Sequence, residues 1–337
     1  MDTTSTTIGW GVLAPGRIAH NFVRDLTQVP DARLVASGSR SLERAEAFAA
    51  QHGGRAHGSY AELVADPEVD VVYVASPHTL HEEHTMLALD AGKAVLCEKP
   101  MTLDAAATQR LVDAAAERGL FLMEAMWMAC NPVVRRITSL LGTPEAPGEH
   151  GVARQVHADL GFVVDRDPSD RLLDPSLGGG ALLDMGIYPL TFAHLVLGEP
   201  EQLVGVAGLS DRGVDLDVAI AGRYAGGATA ALTASMSVNS PRTASVATTT
   251  GRFDLEHDFH SPTRVLWTAY DGKAGTSTWL EGEEPVIGRG YGNEVVEVHR
   301  CLRAGALTSE LAPPARTVSL ARQMDDLLAQ VGVSYDG

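Results

Sequence analysis

The chain has 337 residues, enough for two domains of about 100 to 200 residues each. It contains 45% hydrophobic and 20% charged residues, as ordinary soluble proteins do, and we find no apolar run of the roughly 20 residues that span a bilayer. The formal net charge of -17, with no basic stripe, argues against nucleic acid as a partner, and three widely spaced cysteines argue against a disulfide framework.

The first seven residues, Met-Asp-Thr-Thr-Ser-Thr-Thr, contain neither a basic nor an apolar region. They predict a short disordered lead over residues 1–7 and no signal peptide. We therefore expect a cytoplasmic protein that does not associate with membranes and whose cysteines are reduced and buried.

Apolar runs alternate with helical patterns over the first 127 residues. The runs predict strands at residues 8–13, 33–37, 69–75, 94–97 and 120–126. Alternating units of this kind form a doubly wound parallel sheet, so we predict an α/β Rossmann domain over residues 8–128.

The turn after the first strand is a partial dinucleotide fingerprint. Gly16 and Ala19 keep the second and third positions of Gly-x-Gly-x-x-Gly/Ala, whereas Ala14 replaces the first glycine. Gly16 has no Cβ and would let backbone amides of the following helix approach a pyrophosphate. Alanine fits position 14 only if its φ stays negative, so the turn geometry or the approach of the pyrophosphate is expected to differ. A plain strand-to-helix turn would also explain these residues.

The end of the second strand favours NADP over NAD. An NAD site has an acidic residue there for the ribose 2′-hydroxyl, whereas this chain has Ser39 and Arg40, which suit a 2′-phosphate. The alternative is a solvated arginine on a loop.

Three histidines follow the third strand. His81 and His84 lie three residues apart and are expected on the surface of a helix, whereas His78 falls at the strand end and could contact a cofactor. Their spacing matches no His-Glu-x-x-His motif, so we predict no metal site.

The segment Gly-Lys-Ala-Val-Leu-Cys-Glu-Lys-Pro, residues 92–100, ends a buried strand with a charged pair. Ligands of open α/β sheets bind beyond the carboxyl ends of the strands. Lys99 is therefore placed where chemistry would occur.

Residues 129–337 predict an α+β domain with a large, mostly antiparallel open sheet, since strand-like runs separated by Gly and Asp turns fill residues 202–280. Helices would cover one face of this sheet and a second subunit the other. A helix across residues 184–188 would place Asp184 and Tyr188 on one face, with a kink at Pro189.

Both halves together resemble the Gfo/Idh/MocA family of NAD(P)-dependent oxidoreductases. The resemblance is carried by residues 92–100, by Leu-Met-Glu-Ala-Met-Trp at 122–127, by residues 178–188 and by Thr-Ala-Ser-Val at 243–246. Within the family, the likeness is strongest to the branch of dimeric dihydrodiol dehydrogenases and NADP-dependent D-xylose dehydrogenases. Relatives often have arginine where this chain has Ala129, which puts a ligand contact there in doubt.

The resemblance implies a site and an assembly. It makes Lys99, Tyr188 and Asp184 catalytic, and it implies a homodimer, or a higher homo-oligomer, formed through the open sheet. It also puts Gly16, Ser39, Arg40, Ser76, His78 and Glu98 around the cofactor. We expect Ala14, Arg17, Ile18, His81 and Lys99 at the cofactor as well, and Lys99, Trp127, Phe162, Asp184 and Tyr188 at the substrate. Trp127 would form an apolar wall against the substrate, or else pack in the core. The Lys99-Pro100 bond is expected to be cis, as in relatives.

The expected reaction is hydride transfer between nicotinamide and a carbinol or carbonyl carbon of a sugar, polyol or cyclic diol. Free tyrosine has a pKa of about 10, and a neighbouring Lys99 ammonium would favour the phenolate of Tyr188, the general acid or base. Two alternatives stay open: a reductase of a ketosugar or small carbonyl, and a non-catalytic NADP-binding regulator on the same fold.

Overall fold

The computed structural model of the chain describes residues 7–164, 171–270 and 275–335. Contacts divide the chain into two compact units, the first built from Met1–Cys130 and Val286–Val318, the second from Asn131–Pro285 and Ser319–Gly337. Residues 1–6 of the expected disordered lead lie outside the described part.

Strands and helices alternate over residues 7–130. The strands are β1 (Ile8–Leu13), β2 (Ala32–Gly38), β3 (Arg55–His57), β4 (Val71–Val74), β5 (Ala94–Glu98) and β6 (Leu122–Ala125). The helices are α1 (Arg17–Leu26), α2 (Leu42–His52), α3 (Tyr60–Ala65), α4 (His81–Asp90), α5 (Ala105–Arg118) and the single turn α6 (Trp127–Cys130).

The rest of the described chain contains a second set of elements. Its strands are β7 (Ala153–Gly161), β8 (Pro200–Leu209), β9 (Asp215–Tyr224), β10 (Thr229–Ser235), β11 (Ala244–Thr248), β12 (Gly251–Leu255), β13 (Val265–Ala269) and β14 (Ser277–Leu280). Its helices are α7 (Pro132–Leu140), α8 (Ile187–Leu197), α9 (Tyr291–Arg303) and α10 (Pro314–Val331).

The sheet of the first unit is parallel throughout, with the strand order β3-β2-β1-β4-β5-β6. One face buries Val72 and Val95 in a cluster with residues of α3, α4 and α5. On the other face Tyr73 stacks on Phe22 of α1 at 3.8 Å between ring centroids. Both faces are thus covered, as an all-parallel sheet requires, and the predicted Rossmann fold is confirmed.

The compact units differ from the predicted domains in one segment. The sequence assigned everything after residue 128 to the second domain, but Val286–Val318, including α9, groups with the first unit. There the indole Nε1 of Trp10 donates to Nε2 of His299 at 3.0 Å. This contact spans 289 positions, so local sequence patterns do not reveal it.

The second unit contains an eight-stranded sheet among its described residues, in the order β14-β13-β12-β11-β7-β10-β9-β8. Among its described strands, β10 and β7 form the one parallel pair. The predicted α+β fold with a mostly antiparallel sheet is therefore confirmed.

The described residues of the second unit leave one face of this sheet uncovered. A row of paired residues from β8, β9, β10, β7 and β11 lies on this face. We call the row the open sheet face; its members are Val204, Ala221, Ala231, His157 and Ser245. A trough of about 1080 Å³ runs along the row. Val204 and its neighbour Val206 are 50% and 66% exposed, which is unusual for valine in the middle of strands.

Pro175–Leu197 is long and apolar enough to cross a membrane by length and composition alone, with a mean hydropathy of 1.4. The sequence reading had found no such stretch. In the structure 72% of its 18-residue apolar window is buried inside the protein, and core helices of soluble proteins share this composition.

Candidate active site

The predicted site residues fall in both units. In the first unit, Gly16 is the N-cap of α1 with a φ of -97°, and α1 has neither a side-chain cap nor an acidic residue in its first turn. A Cβ on Gly16 would meet only the Ala14 carbonyl oxygen, at 3.9 Å. Arg17 and Ile18 thus begin a helix whose start is uncapped and follows a glycine, and a pyrophosphate binds at helix starts of this kind.

The expectation for Ala14 is wrong. Its φ is +60°, the left-handed region that favours glycine, and its amide donates to the Gly38 carbonyl at 3.0 Å. The turn thus has the backbone conformation that glycine adopts readily, and the alanine is strained by about 1–2 kcal/mol.

The ends of β2 and β4 also suit a cofactor. Gly38–Ser41 contains no acidic residue, Arg40 is exposed, and the Ser39 hydroxyl accepts from the Ser41 amide at 3.3 Å. At the end of β4 the Ser76 hydroxyl is buried and has no hydrogen-bond partner within the described residues. A buried hydroxyl left in this state is costly unless a ligand or water reaches it.

The histidines are placed differently from the prediction. His81 and His84 are buried, with 0% and 4% exposure, so they do not form a surface face. The ring nitrogens of His81 lie 2.8 Å from the carbonyl oxygens of Pro100 and Ser76. This burial gives no support to the predicted cofactor contact of His81, which instead joins the ends of two strands. His78, 5% exposed, lies in the turn before α4.

Lys99 lies directly after β5, where the sequence placed it, and its bond to Pro100 is cis as expected. The Glu98 carboxylate accepts the Lys99 amide at 3.1 Å and also accepts the buried hydroxyl of Tyr73. Burial and the Glu98 charge hold the pKa of Tyr73 well above its usual value, so the phenol stays a donor.

Glu124 of β6 bonds to the other end of the same loop. The Glu124 carboxylate accepts the Met101 amide at 2.9 Å and is 4% exposed. Because of this burial its pKa is raised to about 7. The sequence reading missed Glu124, since it sits inside an apolar strand pattern.

Trp127, a predicted substrate contact, is 6% exposed and lies 4.7 Å from the Tyr291 ring between centroids. The Trp127 and Tyr291 rings therefore pack against each other within the first unit. Ala129, the departure noted above, is 3% exposed in α6.

In the second unit, Asp184 lies in a π-helical turn, Leu182–Gly186, that leads directly into α8. Tyr188 is 7% exposed and is the second residue of α8. A kink was expected at Pro189. The structure instead has a π-turn just before this residue, in which hydrogen bonds span five residues. Such turns are frequent at functional sites.

A buried aspartate fixes the start of this helical segment. The Leu182 amide donates to the Asp215 carboxylate at 2.6 Å, and burial raises the pKa of Asp215 to about 6. Gly180 has a φ of +140°, and a Cβ there would lie 2.2 Å from Asp215. Glycine is therefore required in this motif by both backbone and space.

Two further side chains approach the predicted residues of the second unit, and the sequence reading missed both. The His260 ring lies 5.2 Å from the Tyr188 ring between centroids, and an Arg171 guanidinium nitrogen lies 3.4 Å from an Asp184 oxygen. Both come from connecting segments without a recognisable motif. Phe162, a predicted substrate residue, follows β7 and is half-buried.

Comparison with known proteins identifies the class. The sequence profile described as "Oxidoreductase family, NAD-binding Rossmann fold" matches residues 8–126, and that of the "GFO/IDH/MocA C-terminal domain" matches residues 146–254. The chain therefore belongs to the GFO/IDH/MocA family of oxidoreductases, and the predicted family and enzyme class are confirmed.

Several relatives are similar over nearly the whole chain. It is 34% identical to the trans-1,2-dihydrobenzene-1,2-diol dehydrogenase of Xenopus tropicalis, covering 97% of this chain and 98% of that protein. It is 34% identical to the D-xylose 1-dehydrogenase (NADP(+)) of Hypocrea jecorina, covering 98% and 93%. The 3-ketoreductase KijD10 of Actinomadura kijaniata, solved with NADP and TDP-benzene, superposes with a TM-score of 0.83 at 26% identity, covering 97% and 98%.

Replacing Ala14 with glycine should stabilise the protein by about 1 kcal/mol, because glycine adopts the positive φ without strain. Chemical denaturation of wild type and Ala14→Gly measures this difference. Ala19→Gly, inside α1, is the matched control and should lose about 1 kcal/mol or more. A destabilised Ala14→Gly variant would contradict the strain at this position.

Proposed function

We propose that the protein is an NADP-dependent oxidoreductase that interconverts a hydroxyl and a carbonyl group on a sugar, polyol or cyclic diol. The observation that carries the proposal is the placement of Lys99 at the carboxyl end of β5, in a loop that side chains of neighbouring elements hold in place. Two 34%-identical relatives named as diol and sugar dehydrogenases support the substrate class.

NADP is the cofactor favoured by the first unit. The uncapped start of α1 suits the pyrophosphate, and the exposed Arg40, with no acidic residue nearby at the end of β2, suits the 2′-phosphate. Ser76 offers a buried hydroxyl that lacks a partner in the described chain. When bound, the nicotinamide supplies or accepts the hydride. The dehydrogenase from Hypocrea jecorina carries NADP in its name, and KijD10 was solved with NADP.

Tyr188 is the proposed general acid and base. Its phenol would accept the substrate hydroxyl proton during oxidation and return it to the developing alkoxide during reduction. The Lys99 ammonium would stabilise the phenolate and the alkoxide, and Asp184 would orient the substrate or the tyrosine.

A second candidate is reduction of a ketosugar as the main direction. The similarity to KijD10, a 3-ketoreductase, favours it. The same proton donor serves both directions, so the two candidates differ in substrate and in equilibrium, and not in the residues used.

The proposed assembly is a homodimer in the cytoplasm, formed through the open sheet face. Exposed Val204 and Val206, next to small alanines of β9 and β10, give an apolar surface of low relief that an identical surface could cover.

Tyr188→Phe and Lys99→Ala should each lower turnover by about 10²- to 10⁴-fold, because the first removes the proton carrier and the second removes the cation that stabilises the phenolate and the alkoxide. Nicotinamide absorbance with pooled aldoses, inositols and diols measures turnover, and NADPH fluorescence measures binding, which Tyr188→Phe should leave unchanged. Tyr270→Phe, at an exposed position, is the control. An active Tyr188→Phe would rule out the assigned proton transfer.

Arg40→Ala should weaken NADPH binding by about 10- to 100-fold, the loss of a charged hydrogen bond, and leave NADH binding nearly unchanged. Titration of NADPH and NADH fluorescence gives both dissociation constants. Arg44→Ala, two residues into α2, removes an equal charge and should alter neither. Equal losses for both cofactors would refute the 2′-phosphate contact.

Val206→Glu should convert the dimer, of twice 35.6 kDa, to a monomer, because the dimer would bury like charges in an apolar contact. Light scattering after gel filtration reports the mass. Val296→Glu, exposed on α9, should leave the mass unchanged. A monomeric wild type would disprove the assembly.

A further inference from the structure

The loop Glu98–Met101 is held by side chains from three directions. Glu98 accepts the Lys99 amide and the Tyr73 hydroxyl, and His81 lies 2.8 Å from the Pro100 carbonyl. Glu124 comes from the neighbouring strand β6 and accepts the Met101 amide at 2.9 Å. Buried side chains thus anchor three backbone groups at and after Lys99: its own amide, the Pro100 carbonyl and the Met101 amide.

Of these anchors, Glu124 has the least obvious structural purpose. A neutral side chain would satisfy one amide, whereas a buried carboxylate costs free energy at neutral pH unless something compensates it. Thr317, at the start of α10, supplies a second hydrogen bond. Carboxyls kept in such a state occur most often at functional sites.

We infer that Glu124 is a positioning residue: its carboxylate fixes the loop Glu98–Met101 and sets the placement of the Lys99 ammonium. The effect of Glu124 on catalysis rests on the proposed function of Lys99. The link between Glu124 and Lys99 itself can be tested without turnover.

The surroundings of Glu124 determine how it responds to pH. The groups that face it are the Lys99 ammonium and the Glu98 carboxylate, the Thr317 hydroxyl, the Met101 amide and the buried Cys97 thiol. Burial raises the pKa of Glu124 to about 7, and the hydrogen bonds from Met101 and Thr317 and the Lys99 charge lower it in part. Above this pH the carboxylate is charged, and its hydrogen bonds are about twice as strong as those of a neutral acceptor. Below it the loop is held less tightly.

Lysine chemistry gives a direct readout, because the chain has only three lysines, Lys93, Lys99 and Lys273. Reductive methylation with ¹³C-formaldehyde keeps the positive charge of the lysines and gives few methyl signals in NMR spectra. The Lys99 signal is the one that is missing in Lys99→Arg. The chemical shift of the Lys99 methyl groups should report the titration of Glu124, with an inflection near pH 7 in wild type that is absent in Glu124→Gln. The Lys93 signal, whose ammonium bonds to the Asp66 and Val69 carbonyls, should show no such inflection in either.

Thr317→Val is a second variant that keeps the carboxyl. It removes a hydrogen bond that lowers the pKa of Glu124, so the inflection should move to higher pH. An inflection near pH 7 that persists in Glu124→Gln, or a wild-type Lys99 signal that does not titrate there, would overturn the inference.

Turnover supplies the second readout. Glu124→Gln should lower kcat by about 10-fold at pH 8, since small misplacement of a catalytic group is costly, while the KM for NADP stays within about 3-fold. Its kcat should also lose the wild-type rise between pH 6 and 8. Glu297→Gln, which removes another buried carboxylate of the same unit, is the control and should keep the wild-type profile. An unchanged pH profile in Glu124→Gln would overturn the inference.

The two proposals fail separately. If wild type turns over no substrate but the Lys99 signal responds to Glu124→Gln as expected, the proposed reaction fails and the positioning role stands. If wild type is active and Glu124→Gln changes only thermal stability, the reaction stands and Glu124 is merely structural.

Discussion

Backbone groups at the end of a parallel strand lose their partners in the sheet, and in a buried place they must find others. This requirement governs the region around Lys99. The amides of Lys99 and Met101 bond to Glu98 and Glu124, and the Pro100 carbonyl lies within hydrogen-bonding distance of His81. The side chains that satisfy the backbone therefore also determine where the lysine lies.

The second unit meets the same requirement at the start of a helix. The first amides of a helix have no partner within it, and here the Asp215 carboxylate of β9 accepts one of them, from Leu182. This carboxylate occupies the space that a side chain at position 180 would fill. The segment that carries Asp184 and Tyr188 is thus held to the sheet through a charge, and its glycine follows from that arrangement.

Five of the six described strands of the first unit could be predicted, because each of the five is an apolar run between helical patterns. The three residues of β3, Arg55–His57, are polar or small and gave no such signal. The position of α9 could not be predicted, because it depends on a pairing of Trp10 with His299 that spans most of the chain.

The residues of the candidate site also fall into those that the sequence predicts and those that it does not. Lys99, Asp184 and Tyr188 stood out as polar residues in motifs, and the structure places Lys99 at a strand end as the sequence indicated. Glu124 and Asp215 did not stand out, because their role is to bond to backbone amides distant in sequence. The positive φ of Ala14 was also beyond prediction, since it contradicts the local preference of alanine.

Buried carboxyls also change how the protein exchanges protons as it folds. The formal charge of -17 counts every carboxyl as ionised. In the folded chain burial holds the pKa of Glu294 well above its usual value and that of Glu124 at about 7, so both carboxyls bind a proton more readily than they do in the unfolded chain. Their contribution to stability is greatest below the unfolded pKa and falls as pH rises through the folded one. Folding at neutral pH therefore draws protons from the solvent onto these two side chains and makes the native surface field weaker than the sequence charge suggests.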